Sequence, residues 1–410
     1  MLHRNLTERV LLALSDSPSV FVQGARQCGK STLVTNLAQS KHEARYITFD
    51  DAGTLSAANA DAQGFLSGLD GNVIIDEVQL CPSIFPAIKA AIDKNRRAGR
   101  FLLTGSANAL VIPELSQALV GRVELISLRT LSQGELAGYR EGFVDWLFTN
   151  DPIPKLTSGV KPIEEPLTTG GYPESVARKT TDRRAQWFDS YISTILQRDI
   201  RDLASIDGLH SLPNLLRLCA ARTAGLLNFT ELARSLAVPQ TTLKRYFALL
   251  EAVFLVQRVP AWSSNLGKRI VRSPKIFFFD SGLAAHLQGI NIKAWNEPAT
   301  RRGQLLENFV FGELEKQLGW SETRANLYHY RSHAGDEVDF ILEDRKGRIV
   351  GIEVKASATP GAADAPLKKL ATEIGKRFVR GIILYTGREM IPFDRNIHAL
   401  PVEALWAKNF

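Results

Sequence analysis

Cysteine is scarce in this sequence: Cys28, Cys81 and Cys219 are the only three in 410 residues. They lie far apart, so neither a disulfide framework nor a zinc-site spacing can be built from them, and a reducing cytoplasm is the expected compartment. Long apolar runs are also missing. None approaches the roughly 18 residues needed to span a bilayer, so no membrane partner is expected. The apolar stretch Val10 to Leu14 lies between Glu8 and Asp16. It is too short for a signal-peptide core and reads as the first helix of a folded domain. There is no internal repeat and no low-complexity tract. Nor does one sign of charge dominate: 50 basic and 43 acidic residues give a net charge of +7. That leaves both a polyanion partner and an ordinary solvated surface open.

What is present is a globular composition, 45% hydrophobic and 23% charged, over a length that implies two to three domains. The first 130 residues alternate strand-like and helix-like segments. Strands are expected at Val20 to Gln23, Arg45 to Asp50, Asn72 to Asp76, Phe101 to Thr104 and Val123 to Leu128, with a helix over Lys30 to Gln39. Short apolar runs separated by helices imply a parallel sheet covered on both faces, hence a three-layer α/β domain. From Leu131 to Ile206 the pattern turns helical and irregular, punctuated by prolines and by Gly170-Gly171-Tyr172-Pro173. Asn228 to Val259 reads as helix, turn, helix and strand, the outline of a winged helix. Its second helix carries Lys244 and Arg245, whereas Leu243, Phe247, Leu249 and Leu250 read as core. A last α/β unit starts near Gln304.

Gly24-Ala25-Arg26-Gln27-Cys28-Gly29-Lys30-Ser31, followed by Thr32, fits the G-x-x-x-x-G-K-[S/T] pattern after a strand and at the opening of a helix. Such a loop turns backbone N–H groups onto a phosphate at the positive end of the helix. Lys30 is then expected to bridge the β- and γ-phosphates of ATP, and Ser31 to ligate Mg²⁺. The apolar strand Val73 to Asp76 delivers Asp76 to the Mg²⁺ sphere, and Glu77 can polarise the attacking water. A second carboxylate there argues for hydrolysis over transfer to a small acceptor. Leu102-Leu103-Thr104-Gly105-Ser106-Ala107-Asn108 offers Ser106 or Asn108 as a γ-phosphate sensor. Gly121-Arg122 offers an arginine that could act on a neighbouring subunit's nucleotide, which implies a homo-oligomer.

The second constellation is Glu337 to Leu342 and Val350 to Lys355, two alternating strands joined by turn residues Asp344 to Gly347. If Val338, Phe340 and Leu342 are to bury with Val350, Ile352 and Val354, Asp339, Glu353 and Lys355 must share the opposite face. Two carboxylates and a lysine on adjacent strands can hold a divalent metal and activate water on a phosphodiester. This is the arrangement of the PD-(D/E)xK nuclease core, with Asp339 and Glu353 as metal ligands, Lys355 assisting the nucleophile, and Glu307 able to complete the set. The competing reading is a solvated hairpin face.

The motifs GARQCGKST, VIIDEVQ, LLTGSAN, LVGRVELI, GGYPE, ILQRDIRDL, KIFFFDSGL, LLENFVFGEL, EVDFILE and GIEVKAS follow in order. Through them the chain resembles, over nearly its whole length, a bacterial and archaeal family of AAA-type ATPases. Its members end in a domain of unknown function with a nuclease-like core. Cys28 departs from the apolar residue often found there. The resemblance implies an AAA ATPase core over residues 1–130, a helical lid region over 131–205 and a winged-helix-like domain over 206–265. A connector over 266–300 and a PD-(D/E)xK-like domain over 301–410 complete the expectation. Two functions are expected. In the first, an ATPase is coupled to a domain that binds or cuts nucleic acid, DNA before RNA. In the second, an ATP-dependent switch or assembly protein uses an inactive nuclease fold to bind nucleic acid or a protein.

Overall fold

The computed structural model describes residues 2–108, 121–155, 162–203, 209–265, 267, 269, 272–290, 299–332 and 335–410. It divides into two units, His3–Leu131 with Leu249–Leu255, and Ser132–Ala248 with Val256–Phe410. No helix among the described residues is long and apolar enough to cross a membrane.

The first unit is built on five parallel strands: β1 (Ser19–Gln23), β2 (Arg45–Thr48), β3 (Val73–Asp76), β4 (Phe101–Gly105) and β5 (Val123–Ser127). Their order across the sheet is β2-β3-β4-β1-β5. β1, β3 and β4 are buried along their whole length, which is why they read as continuous apolar runs and not as alternation. Because all strands run the same way, the segments leaving β1, β3 and β4 emerge at one edge. Gly24, Glu77 and Ser106 all follow there.

The second unit starts with short helices, among them Pro173–Ala177 and Thr181–Thr194. Two of its sequence motifs lock together. Asp280 caps the helix Ser281–Leu287 by accepting from Leu283 N–H at 3.1 Å, and its other oxygen accepts from Gly171 N–H at 2.7 Å. Gly170 has a φ of 69°, and a β-carbon there would stand 2.0 Å from Asp280 Oδ1, so only glycine fits. The helices Phe229–Leu236 and Gln240–Ala252 form the expected pair. They bury Leu243, Phe247 and Leu250 and leave Lys244 and Arg245 exposed. β6 (Val256–Val259) follows and pairs antiparallel with β7 (Lys275–Phe278), which falls in the stretch read from sequence as a connector.

A six-stranded sheet closes the chain: β8 (Ala325–Arg331), β9 (Glu337–Asp344), β10 (Ile349–Lys355), β11 (Phe378–Tyr385), β12 (Ile391–Asp394) and β13 (Ile397–Pro401). Its order is β12-β13-β11-β10-β9-β8, parallel at β10–β11 and β11–β13 and antiparallel elsewhere. The helices Ala299–Trp320 and Asp364–Ile374 pack against it. The β9–β10 hairpin sets Phe340 opposite Ile352 and Leu342 opposite Val350, so the two apolar rows share a face as their alternation requires. Asp344 fixes the turn by accepting from the N–H groups of Lys346 and Arg348 at 2.9 and 2.8 Å.

Candidate functional site

The loop Gly24–Gly29 leaves β1 and enters the helix Lys30–Ser40. Contact dictates glycine at position 24, where a β-carbon would stand 2.2 Å from the Leu128 carbonyl oxygen. Gln27 and Gly29 take left-handed φ values of 60° and 101°, the kind of turn that gathers successive N–H groups into an anion-binding concavity. Lys30 is buried, and its ammonium donates to the carbonyls of Gly24 and Ala25, both at 3.1 Å. Ala25 and Cys28 are buried beneath the loop, Arg26 and Ser31 are half-buried, and Gln27 and Thr32 are exposed. Arg4 pins the loop from below. Its guanidinium donates to the carbonyls of Cys28 at 2.8 Å and Arg129 at 2.6 Å. A lone arginine ahead of the first helix carries no sequence signal for that role.

Asp76 is buried at the end of β3. One of its carboxylate oxygens accepts from Thr104 Oγ1 and the other from the Tyr46 hydroxyl at 2.8 Å. Burial and this carboxylate hold the Tyr46 phenol well above its usual range. Glu77 adopts the left-handed conformation, φ 54° and ψ 43°, and its N–H donates to Thr104 Oγ1 at 3.1 Å. Gln79 was not singled out from the sequence, yet its amide Nε2 donates to Glu77 Oε2 at 2.5 Å and to Ser106 Oγ at 3.0 Å. Ser106, one of the two residues offered as a sensor, is thus wired to Glu77 through this amide. The backbone N–H of Asn108, the other, donates to the Ala252 carbonyl at 2.8 Å.

Arg122 does not join this group. It precedes β5, whose Val123 pairs with Ser19 at the start of β1, so it lies at the opposite edge of the sheet from Gly24. The five residues of β1 lie between the two edges, so Arg122 and Gly24 are six rises apart along the strand direction, roughly 20 Å. Its guanidinium forks onto Asp93, Nε to Oδ1 at 2.7 Å and Nη2 to Oδ2 at 3.1 Å.

In the second unit the carboxylates converge. Glu307 comes from the helix Ala299–Trp320, Glu337 and Asp339 from β9, and Glu353 with Lys355 from β10. In their midst lies Lys275 of β7, only 3% exposed. Its ammonium is 2.7 Å from Glu337 Oε1, 2.9 Å from Glu307 Oε1 and 3.4 Å from Asp339 Oδ1. Asp339 Oδ2 accepts from Val354 N–H at 2.9 Å, and Glu353 Oε1 from Lys355 Nζ at 2.7 Å. Glu353 Oε2 is buried without a hydrogen-bond partner among the described residues. The sequence offered Glu307, Asp339, Glu353 and Lys355. Glu337 and Lys275 were missed, the latter because a lysine ahead of an apolar strand has no periodic signature.

Burial and the nearby Asp339 push Glu353 up to about 8, and the same two causes raise Glu307 well above the carboxylate range. Burial works against the Lys275 ammonium, but Glu307, Asp339 and Glu337 outweigh it and raise its pKa. Among the described residues no group of three or more His, Cys, Asp or Glu side chains is arranged to hold a metal ion. The metal expected on Glu307, Asp339 and Glu353 is thus not what this geometry fits: a tethered ammonium takes the central place. The phosphate loop is different. Lys30 is held by main-chain carbonyls, and each Asp76 oxygen has one donor and a lone pair to spare, so Ser31 and Asp76 fit a Mg²⁺-bound nucleotide.

Three family models match this chain. The model of an AAA domain matches residues 16–137, that of a domain of unknown function, DUF8612, residues 161–294, and that of another, DUF4143, residues 302–405. The chain therefore carries an AAA ATPase domain and a C-terminal DUF4143 domain. It is 31% identical over 403 residues to the uncharacterized protein Rv2008c of Mycobacterium tuberculosis and equally to Mb2031c of Mycobacterium bovis, covering 98% of this chain and 84% of each. Among solved structures, it is similar to the Walker-type ATPase PABY2304 of Pyrococcus abyssi, at 15% identity and TM-score 0.44 over 70% of this chain and 96% of that one. A single-residue variant of RuvB from Thermotoga maritima is 19% identical, TM-score 0.31, over 62% and 89% of the two chains. AMPPCP-bound DnaA of Aquifex aeolicus is 14% identical, TM-score 0.29, over 60% and 86%.

Proposed function

We propose a function from the premise that this chain, AAA and DUF4143 domains included, belongs to the family of the mycobacterial protein Rv2008c. In our reading it binds and hydrolyses ATP and works as a nucleotide-dependent switch, with a C-terminal nuclease-like fold that serves as a binding module. The observation that carries the hydrolytic half is the Gln79 bridge. It holds the Glu77 carboxylate and the Ser106 hydroxyl from one amide, directly behind Asp76.

On nucleotide binding the backbone N–H groups of Gly24 to Lys30 take the phosphate oxygens, and Lys30 exchanges the carbonyls of Gly24 and Ala25 for the β- and γ-phosphates. Mg²⁺, held by Ser31 and Asp76, would neutralise charge on the phosphates. Tyr46 and Thr104 fix the Asp76 carboxylate, and Thr104 also takes the Glu77 N–H, so one hydroxyl orients both acids. Glu77 accepts the proton of the attacking water, and Ser106 reports the γ-phosphate to it through Gln79. Arg122, an edge away from its own loop, serves the nucleotide of a neighbouring copy. This makes the active form a homo-oligomer.

Lys275 favours the switch over cleavage, because it fills the centre where a nuclease would hold its ion. The partner we assign to the binding module and its neighbouring helix pair is DNA. The supports are the net charge of +7 and the exposed Lys244 and Arg245 on the second helix of that pair. Steady-state hydrolysis by wild type and Lys30→Ala, with sizing in the presence and absence of ATP, tests the reading. A variant that hydrolyses ATP at the wild-type rate sinks the ATPase assignment. Metal-dependent cutting of plasmid, branched DNA or RNA by wild-type protein sinks the switch.

A further inference from the structure

We infer that Lys275 is the resident cation of the C-terminal carboxylate centre, and that this centre takes a divalent ion only when the Lys275 ammonium is withdrawn. The inference deepens the switch reading above by naming what controls its second site.

An ammonium has three N–H donors. Lys275 spends them on three carboxylates that arrive from a helix and from two positions of β9: Glu307, Glu337 and Asp339. The N···O separations run from 2.7 to 3.4 Å, whereas Mg²⁺ demands oxygens at about 2.0–2.1 Å in an octahedron. The carboxylates thus surround an ammonium and would have to close in to surround a metal.

Lys275 is not part of the six-stranded sheet. It is delivered by β7, whose position relative to the carboxylates is set by Asn308, the residue next to Glu307. Asn308 Oδ1 accepts from Phe278 N–H at 2.7 Å and its amide donates to the Phe278 carbonyl at 3.3 Å. One asparagine therefore grips both backbone groups of the residue that ends the lysine's strand.

The second, independent sign of a cation site is Glu353. It is 6% exposed, its Oε1 is engaged by Lys355, and its Oε2 is buried with no partner among the described residues. Lys275 has no donor left for it. Burying a carboxylate oxygen without a donor forfeits its hydration and returns nothing, and a divalent ion shared with Glu307 and Asp339 would satisfy it.

The experiment is Mn²⁺ titration of nucleotide-free full-length protein, read by calorimetry and by the thermal-unfolding midpoint. Wild type, Lys275→Met, Lys275→Arg and the double variant Lys275→Met/Glu307→Gln are compared. Expected is one additional Mn²⁺ in Lys275→Met, bound at least about tenfold more tightly than any Glu307-dependent site of wild type, since the competing cation is gone. It should raise the midpoint of that variant and disappear in the double variant. Lys275→Arg should behave as wild type, because it keeps the cation. If Lys275→Met is poorly folded without metal, recovery of its midpoint by Mn²⁺ is the same expected result. Wild type binding Mn²⁺ through Glu307 as tightly as Lys275→Met would overturn the inference. So would a Lys275→Met that unfolds cooperatively, with the circular-dichroism spectrum of wild type, and binds no ion. Both outcomes are read from ion binding with the fold checked separately, and a wild type that hydrolyses no ATP changes neither, so a failed switch reading is told apart from a failed Lys275 assignment.

Discussion

Gln79 holds Glu77 by a hydrogen bond of 2.5 Å and shares the same nitrogen with Ser106 at 3.0 Å. Its other amide atom, Oε1, is buried without a partner among the described residues. A β-carbon at Gly105 would stand 2.9 Å from that atom, so the glycine of LLTGS makes room for the amide.

Gln79→Ala should lower kcat for ATP about tenfold while leaving the affinity for ATP within about threefold, the loss of one hydrogen bond that aims Glu77 and not the nucleotide. Steady-state rates with a parallel nucleotide titration measure the split. A matched fall in binding and turnover would assign Gln79 to the fold alone.

Arg4→Ala should raise KM for ATP about tenfold, the equivalent of about 1.4 kcal/mol, because the two bonds that hold the loop through the Cys28 and Arg129 carbonyls are lost and only part of their energy is felt by the nucleotide. Lysine should restore little, since its single nitrogen replaces the two guanidinium nitrogens that reach the Cys28 and Arg129 carbonyls separately. KM values of the three proteins decide it.

Arg122→Ala and Lys30→Ala should each be nearly inactive alone. Mixed in equal amounts they should regain measurable hydrolysis, because a chain with an intact loop meets a neighbour with an intact arginine. No recovery on mixing, with exchange of chains verified, would return Arg122 to its bond with Asp93 as a structural pair.

Glu141 should make the second unit lose stability as pH rises. It is 2% exposed and accepts from Gly134 N–H at 2.7 Å. Burial, reinforced by Glu313, pushes it up to about 7 from 4.5. The folded pKa is raised, so its contribution is complete below about pH 4.5 and disappears as pH climbs through about 7, on the order of 3 kcal/mol. Unfolding midpoints between about pH 5 and 8 should fall more steeply in wild type than in Glu141→Gln. Parallel slopes would refute this.

The alternation along the C-terminal hairpin and the loop before Lys30 show how much the sequence alone determined. The P-loop, Asp76-Glu77 and the strands β1, β3 and β4 are encoded by short-range rules: glycine where the backbone must turn, apolar runs where a strand is buried on both sides. Period-two alternation likewise forces Asp339, Glu353 and Lys355 to one face before any contact is known. Other features depended on contacts no local rule encodes. Lys275 meets Glu307 and Asp339 across 32 and 64 positions, Arg122 is carried away from Gly24 by the direction of β5, and Arg4 reaches a loop 24 residues on. Periodicity fixes which side of its own strand or helix a residue takes. Only tertiary packing decides which charged group from elsewhere fills the space opposite, and here it chose a lysine.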